Sequence, residues 1–258
     1  MMLEKSRNKS VGATGDNKAA SRHQWGANLE GLLRQRFALL QAHLTPGDRV
    51  LELGAGIGET RQHLLSIDLI QTDVETNPWL DVTASAECLP FANAAFDAVV
   101  AINVFHHLGR PKRALAECIR VIPPGGRIII WESHASRLLR TLLAIRGHEY
   151  VDFSVDPFGE KTCQRSEDNW DGNNAIADLL FGNRERVSAT FPSLQMVHHR
   201  YIECLVFINS GGVNHKAPYV PMPRFMVQAM AAFDRLLCAA APNTFALGQE
   251  LVYVKKGA

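Results

Sequence analysis

The sequence has few of the features that mark metal-binding, secreted or nucleic-acid-binding proteins. Its five cysteines are scattered and form no CxxC pair, which argues against a structural zinc site or a redox dithiol. Basic residues (27) and acidic residues (26) nearly cancel, so no overall field attracts a nucleic acid. The first residues are polar and lack the apolar core of a secretory signal. We therefore expect a cytoplasmic protein with reduced thiols and no nucleic-acid partner.

A long apolar run is also missing. The most apolar late stretch, "RFMVQAMAAFDRLLCAAAP", is interrupted by Gln228, Asp234 and Arg235, so it falls short of a membrane span. Its spacing predicts an amphipathic helix from about Phe225 to Ala241 that packs on the fold, on a second subunit or on a lipid. The oligomeric state and any peripheral lipid contact stay open at this level.

The 258 residues suit one domain with insertions. We predict a disordered leader over 1–22 and a single domain over 23–258, with a cofactor-binding half (23–134) and an acceptor-binding half (135–258).

Strand and helix patterns alternate along the first half. Short buried strands are predicted at "RVLELG", "DLIQTD", "FDAVVAINV" and "RIIIWES", with late strands near 195–208 and 245–255. Helices are predicted over 29–43, 59–65, "RPKRALAECIRVI", 135–146 and 175–190, and "GHEYVDFSVDPFGEKTCQRSEDNWDGNN" is predicted as a long ordered loop. This order predicts an α/β, doubly wound, mostly parallel sheet whose ligands lie at the carboxyl ends of the strands.

Three glycines at positions 54, 56 and 58 follow the first strand. They allow a sharp turn into the next element and let a ligand approach bare backbone, as in dinucleotide sites and S-adenosylmethionine sites. Glu59 stands where a dinucleotide motif has a third small residue, and its carboxylate would oppose a diphosphate. Asp73, at the end of the second strand, suits both ribose hydroxyls of either cofactor. The pattern favours S-adenosylmethionine.

The ordered motifs "ELGAGIG", "TD", "AECLPF", "FDAVV", "NVFHHL" and "PPGGRIII" resemble those of the class I S-adenosylmethionine-dependent methyltransferases. The resemblance implies a Rossmann-like sheet of seven strands and S-adenosylmethionine as cofactor, with S-adenosylhomocysteine as product. It also implies contacts for each part of the cofactor. The implied set is Glu52, Gly54, Ala55, Gly56 and Gly58 beside the methionine part, Asp73 and Val74 at the ribose, Ala86 and Glu87 at the adenine, and Asn103 and Val104 beneath the sulfonium.

Two positions depart from the family pattern. Ser85 stands where many relatives have an aspartate for the adenine amino group, and a short loop with Trp79 replaces the usual helix after Asp73. Trp79 could cover the adenine or fill the gap. The loop and the tail "VDFSVDPF…NAIADLLFG…SGG" are similar to poorly characterised bacterial methyltransferases of polysaccharide or envelope-lipid gene sets.

His106 and His107 follow the fourth strand, where an acceptor would approach the methyl group. A histidine there could remove a proton from an attacking hydroxyl or amine, although a cap and a packing role would also explain the pair. Neighbouring histidines are expected to diverge, and no third ligand is marked by spacing, so we predict no metal. The long loop supplies the candidate acceptor contacts His148, Tyr150, Asp152 and Trp170.

The sequence thus predicts a methyltransferase that moves a methyl group to an oxygen or nitrogen of a small-molecule, sugar or lipid acceptor by direct displacement. Two alternatives stay open. One is a methyltransferase-like binding or regulatory subunit without turnover, and the other is an NAD-dependent oxidoreductase on the same sheet.

Overall fold

The computed structural model describes residues 26–147, 149–166, 168–212 and 217–257. The predicted leader and His148 lie outside these ranges. The strands are β1 (Arg49–Leu53), β2 (Asp68–Asp73), β3 (Val82–Thr83), β4 (Ala98–Ile102), β5 (Arg127–Ser133), β6 (Leu194–Ile202) and β7 (Gly248–Lys255). The helices are α1 (Ala27–His43), α2 (Pro111–Val121), α3 (Arg137–Arg146), α4 (Ile176–Phe181), α5 (Arg184–Thr190), α6 (Leu205–Ile208), α7 (Arg224–Ala240) and α8 (Pro242–Phe245).

The seven strands form one sheet in the order β3-β2-β1-β4-β5-β7-β6. β7 runs antiparallel to β5 and to β6, and the other pairings are parallel. The predicted seven-stranded, mostly parallel architecture is therefore confirmed. The order reverses beside β1, so the carboxyl ends of β1 and β4 border the switch point where such sheets bind ligands.

Alternating side chains of the central strands supply both faces of the core. One face carries Leu51, Val99 and Ile130 against α2 and α4, whereas the other carries Val50 and Ile129 against α1. Because neighbouring residues of a strand point to opposite faces, near-continuous apolar runs are needed where helices cover both sides. The sheet is a rigid base, and its carboxyl edge is left to the loops.

Three predicted elements differ from the structure. The helix expected over 59–65 is only a single 3-10 turn, Glu59–Gln62, because Gly58 adopts a left-handed conformation (φ 70°) immediately before it. The helix expected over 175–190 is two helices, separated at Gly182. The first late strand ends at Ile202, and residues 205–208 form the short helix α6.

None of the helices in the described ranges is long and apolar enough to cross a membrane.

Candidate active site

The glycine loop lies at the carboxyl end of β1, and all three of its glycines have a positive φ. Gly54 (φ 60°) packs against Val104, and a Cβ at this position would lie 2.6 Å from Val104 Cγ2. Gly56 (φ 48°) faces open space, with no heavy atom within 4 Å of the place a Cβ would occupy. The loop is therefore pressed onto β4 at one glycine and open at the other, and the open side can receive a ligand.

Asp73 closes the neighbouring strand β2 and faces the same loop. Its Oδ2 accepts a hydrogen bond from the Gly56 backbone N–H (2.9 Å), and its Oδ1 accepts one from the Glu75 N–H (3.0 Å). A carboxylate offers about four lone-pair sites, so each oxygen can accept one more donor. The half-buried carboxylate is thus held in place with capacity for two hydroxyl groups.

Glu52 is buried beneath the glycine loop. It accepts hydrogen bonds from the Thr60 hydroxyl and from Gln71 Nε2 (2.7 Å). Burial raises the pKa of Glu52, against the lowering effect of these two hydrogen bonds. Its contacts hold the loop to β2, and Ala55, also buried, donates its N–H to the Thr72 carbonyl (2.9 Å).

The floor of the site is the turn after β4. Asn103 has a positive φ of 54°, and its N–H donates to the Trp131 carbonyl (2.7 Å). A left-handed conformation is uncommon outside glycine, and asparagine tolerates it better than most residues. The turn directs Val104 onto Gly54, so the β4 end and the glycine loop form one packed surface.

The predicted adenine side is built from short loops. The Trp79 indole N–H donates to the Gly56 carbonyl (2.8 Å). Trp79 therefore links the short loop after Asp73 to the glycine loop. Ser85 Oγ accepts the N–H of Glu87 (3.2 Å), and Glu87 Oε1 accepts the N–H of Arg110 at the start of α2 (2.7 Å). Ala86 is buried, whereas Val74 is exposed.

A buried histidine–carboxylate pair lies where β4 and β5 end side by side. His106 Nδ1 is 2.7 Å from Glu132 Oε2, and Glu132 Oε1 accepts the backbone N–H groups of Val104 and Phe105. Burial disfavours the imidazolium, but the charges of Glu132 and Glu149 and the Glu132 hydrogen bond outweigh it and raise the pKa of His106 to about 8. The pair holds a proton at neutral pH.

His107 lies beside this pair, contrary to the expected divergence of the two side chains. The two imidazole rings are 4.1 Å apart, and Glu149 Oε1 is 3.9 Å from Nε2 of each. Ligating atoms of all three residues lie within 4.8 Å of one another, close enough to share a proton or a cation. We refer to His106, His107, Glu132 and Glu149 as the His–Glu cluster.

The long loop packs directly over the His–Glu cluster. A Cβ on Gly172 would lie 2.5 Å from His106 Cδ2, and the Asn173 N–H donates to the His106 carbonyl (2.8 Å). Gln164 Nε2 also donates to that carbonyl (2.8 Å). No bulkier residue could replace Gly172 in this arrangement, so the loop is shaped to cover the two histidines.

The predicted acceptor contacts have different surroundings. Tyr150 is held within the loop, with the Arg165 guanidinium 4.0 Å above its ring. Asp152 accepts the N–H and hydroxyl of Ser154 and so closes a local turn. The Trp170 indole N–H donates to Glu75 Oε1 (3.0 Å), two residues beyond Asp73. Trp170 therefore connects the acceptor-side loop to the cofactor side.

Part of the chain, including the glycine loop, matches a known family. The family described as "Methyltransferase domain" matches residues 51–130, from β1 to β5. The chain is 32% identical over 99 residues to a demethylmenaquinone methyltransferase of Renibacterium salmoninarum, covering 34% of this chain and 42% of the relative. A demethylmenaquinone methyltransferase of Tropheryma whipplei is 26% identical over 166 residues, covering 57% of this chain and 70% of the relative. The chain thus spans less than half of the first relative's length.

The fold agrees with these matches. A crystal structure of a SAM-dependent methyltransferase from Archaeoglobus fulgidus matches with a TM-score of 0.52 at 15% identity, covering 87% of this chain and 93% of that one. Residues 51–130 thus match a methyltransferase domain, and the sheet around them has the Rossmann-like fold of such enzymes.

The residues of the site fit S-adenosylmethionine, the cofactor that the sequence predicts. Gly56 leaves space against bare backbone, and Asp73 has lone pairs for a pair of hydroxyls. Glu59 occupies the first turn after the loop, where a carboxylate would repel a diphosphate but tolerate a sulfonium. The site is thus suited to a cofactor with a ribose and no phosphate.

Gly54 and Gly56 of the glycine loop give a paired prediction. Gly54→Ala is expected to cost about 2–4 kcal/mol of folding free energy, because it adds left-handed strain to a clash with Val104. Gly56→Ala adds strain alone, about 1–2 kcal/mol, but places a methyl group in the cofactor space. Urea unfolding and titration with S-adenosylhomocysteine measure both quantities. Equal stability losses in the two variants would contradict this packing.

Glu132 was missed in the sequence, and Glu149, a polar residue of the long loop, was not expected beside the two histidines. Glu132 could have been recognised from the sequence, because it is an acidic residue near the end of an apolar strand, "RIIIWES". An ionisable group in such a strand usually has a buried partner. No sequence pattern could place Glu149 near both histidines, since its position depends on how the long loop folds back.

Proposed function

We propose that this chain transfers a methyl group from S-adenosylmethionine to a small-molecule acceptor at the carboxyl edge of β1, β4 and β5. The observation that carries the proposal is the placement of the His–Glu cluster directly after the turn that forms the floor of the glycine loop. Cofactor-binding groups and a proton-accepting group are therefore adjacent. Relatives named for demethylmenaquinone support a small molecule, with a quinone among the first acceptors to test.

The cofactor contacts predicted from the sequence fall into two roles in this proposal. Gly54, Gly56, Gly58, Asp73 and the Asn103–Val104 turn would contact the cofactor directly, since they surround the open side of the loop. Glu52 and Ala55 would act by holding that loop in shape, because both are buried and hydrogen-bonded to residues of β2. Val74, Ala86 and Glu87 would border the adenine, with Trp79 fixing the loop behind it.

The bound cofactor supplies an electrophilic methyl group on a sulfonium, so no covalent enzyme intermediate is needed. The protein aligns the acceptor oxygen or nitrogen with that methyl group and removes the acceptor's proton. The His107 side chain is 22% exposed and that of His106 only 5%, so the proton enters the His–Glu cluster through His107. Glu132 stabilises the positive charge that results.

The long loop would complete the acceptor site. Tyr150, Asp152 and Trp170 lie in the segment that covers the histidines, and the Trp170 hydrogen bond to Glu75 joins that segment to the cofactor side. An acceptor bound beneath this segment would be shielded from water, which direct displacement requires. Because Trp170 is 37% exposed, its outer ring face can stack on a planar acceptor.

The rate of transfer to a hydroxyl or amine acceptor is expected to rise with pH through about 8 and then level off. Below that pH, His106 already carries a proton that the cluster must lose before it can accept another. A pH–rate profile with saturating cofactor measures this. A profile that stays flat between pH 6 and 9 would remove the proton-accepting role, and a rate abolished by a chelator would point to a cation instead.

Stability should change in the opposite direction with pH. In the folded protein, the pKa of His106 is raised from its ordinary value of 6.5 to about 8. The His106–Glu132 pair therefore stabilises the fold fully below pH 6.5, and this contribution is lost as the pH rises through about 8. The loss is on the order of 2 kcal/mol. If activity rises with pH while stability falls, the pH dependence of activity reflects proton transfer and not partial unfolding.

The function itself is tested with a labelled methyl donor. Purified protein is incubated with S-adenosylmethionine labelled in its methyl group, together with hydroxylated quinones, sugars and amine-bearing small molecules. Label recovered in one acceptor class supports the proposal. The atom to which the labelled methyl group is attached shows whether oxygen or nitrogen is methylated. Label found only in RNA or protein would overturn it.

A further inference from the structure

An exposed hydrogen bond joins the two sides of the candidate active site. The Trp170 indole N–H donates to Glu75 Oε1 (3.0 Å), although the two residues are 95 positions apart in the sequence. Trp170 lies on the long loop that covers the histidines, whereas Glu75 follows Asp73 at the end of β2. We call this hydrogen bond the latch. Polar contacts at the surface contribute little to the free energy of folding, so the latch is not needed to hold the fold together.

On the cofactor side, the latch is connected to the carboxylate of Asp73. The Glu75 backbone N–H donates to Asp73 Oδ1 (3.0 Å), and the Gly56 N–H donates to Asp73 Oδ2 (2.9 Å). The position of Glu75 therefore depends on the orientation of the Asp73 carboxylate. Hydroxyl groups bound to that carboxylate would fix its orientation further, and so would restrict Glu75 to the place where it meets Trp170.

On the acceptor side, Trp170 belongs to a short exposed turn. Asp168 Oδ1 accepts the Trp170 backbone N–H (3.0 Å), and the Asp171 N–H donates to the Asp168 carbonyl (3.0 Å). We call this segment, from Asp168 to Asp171, the Trp170 turn. Just after it, Asn173 is buried, and its N–H donates to the His106 carbonyl (2.8 Å). The base of the turn is thus fixed on the His–Glu cluster, while its tip reaches the cofactor side through the latch.

We propose that Glu75 is a positioning residue, which holds the Trp170 turn closed when the cofactor is bound. The cofactor fixes the Asp73 carboxylate, that carboxylate fixes Glu75, and Glu75 holds Trp170 through the latch. Closure completes the cover over the His–Glu cluster and excludes water from the reacting groups. The inference rests on the proposed function, because it treats the cofactor and the cluster as parts of one site.

Dissociation of S-adenosylhomocysteine from the full chain tests the positioning role. Trp170→Phe keeps an aromatic ring but removes the indole N–H, and Glu75→Leu removes the group that accepts it. Each is expected to raise the dissociation rate constant about 5- to 10-fold, the effect of losing an exposed hydrogen bond. Because both substitutions remove the same contact, the double variant should show the same increase as either single variant. Surface plasmon resonance with the immobilised chain measures these rates.

Two further variants separate positioning from a structural role. Glu75→Gln keeps an oxygen that can accept the indole N–H, so dissociation should stay within about twofold of the unaltered chain. Glu160→Leu removes another carboxylate of the same loop, one that is 90% exposed and pairs with Lys112 (3.1 Å). It should also leave the rate within about twofold. Urea unfolding is expected to be the same for all of these variants, since the latch is exposed.

The reverse effect supplies an independent measurement, because coupling between two sites is reciprocal. Exchange of the Trp170 indole proton with solvent is followed by NMR, with Trp170→Phe to assign the signal. Saturating S-adenosylhomocysteine is expected to slow this exchange by the same factor, about 5- to 10-fold. In Glu75→Leu, the ligand should leave the exchange rate unchanged.

The outcomes distinguish the positioning role from the proposed function. Unchanged dissociation in both single variants, multiplied effects in the double variant, or a matching loss of stability would overturn the positioning role while methyl transfer stands. If the unaltered chain does not bind S-adenosylhomocysteine at all, the proposed function is wrong, and the positioning role is wrong with it.

Discussion

Asp73→Ala is expected to lower the affinity for S-adenosylhomocysteine by about 100-fold or more. The substitution removes the acceptor for both ribose hydroxyls, and hydrogen bonds to a charged group contribute about 1.5–3 kcal/mol each. It also removes the bonds from the Gly56 and Glu75 N–H groups, which position the glycine loop. Calorimetric titration measures the change.

The matched control for this titration is Asp68→Ala. Asp68 begins the strand that Asp73 ends, so it lies at the opposite edge of the sheet, where its carboxylate forms an exposed ion pair with Arg49 (3.6 Å). Its replacement should leave the affinity within about twofold, because exposed ion pairs contribute little. Equal losses in both variants, or binding of NAD by the unaltered chain, would contradict the cofactor assignment.

His106→Asn is expected to lower kcat by about 10²–10⁴-fold while leaving the affinity for S-adenosylhomocysteine nearly unchanged. General acid–base catalysis contributes an effect of this size, and asparagine can keep a hydrogen bond to Glu132 but cannot accept the acceptor's proton. A role limited to structure would instead reduce stability and cofactor affinity together. His107→Ala, at the more exposed ring, tests the same step with less risk to the fold.

A second histidine–glutamate pair serves as control for this substitution. His198 Nε2 lies 3.2 Å from Glu250 Oε2 on β6 and β7, away from the glycine loop. His198→Asn should leave kcat within about twofold. If His198→Asn and His106→Asn lower kcat equally, loss of any such pair disturbs the sheet, and the assignment of the His–Glu cluster to catalysis is wrong.

The sheet and its cofactor edge could be predicted because their determinants are local. An apolar strand followed by Gly54, Gly56 and Gly58, and a second strand ending on Asp73, specify a turn and an acceptor within a few residues each. Parallel strands then bring these ends together automatically. The reduction of the predicted 59–65 helix to one turn shows the limit, because the left-handed Gly58 and the buried Thr60–Glu52 contact leave no mark in the helical pattern.

The His–Glu cluster could be predicted only in part, since it depends on contacts distant in sequence. His106 and His107 were visible as a pair, but their approach to one another depends on Glu132, 26 residues away from His106, and on the folded-back loop. The close fit of Gly172 against His106 is also a tertiary contact. Periodicity carries no information about such contacts, because it reports only which side of an element is buried.

The most direct test of the account is transfer of labelled methyl groups from S-adenosylmethionine to a small-molecule extract by the unaltered chain, Asp73→Ala and His106→Asn in parallel. We expect label in a small molecule with the unaltered chain, loss of transfer in Asp73→Ala through weak cofactor binding, and slow transfer at full cofactor binding in His106→Asn. Tight binding of S-adenosylhomocysteine by the unaltered chain, without transfer to any fraction, would contradict an enzymatic role and identify a cofactor-binding or regulatory subunit.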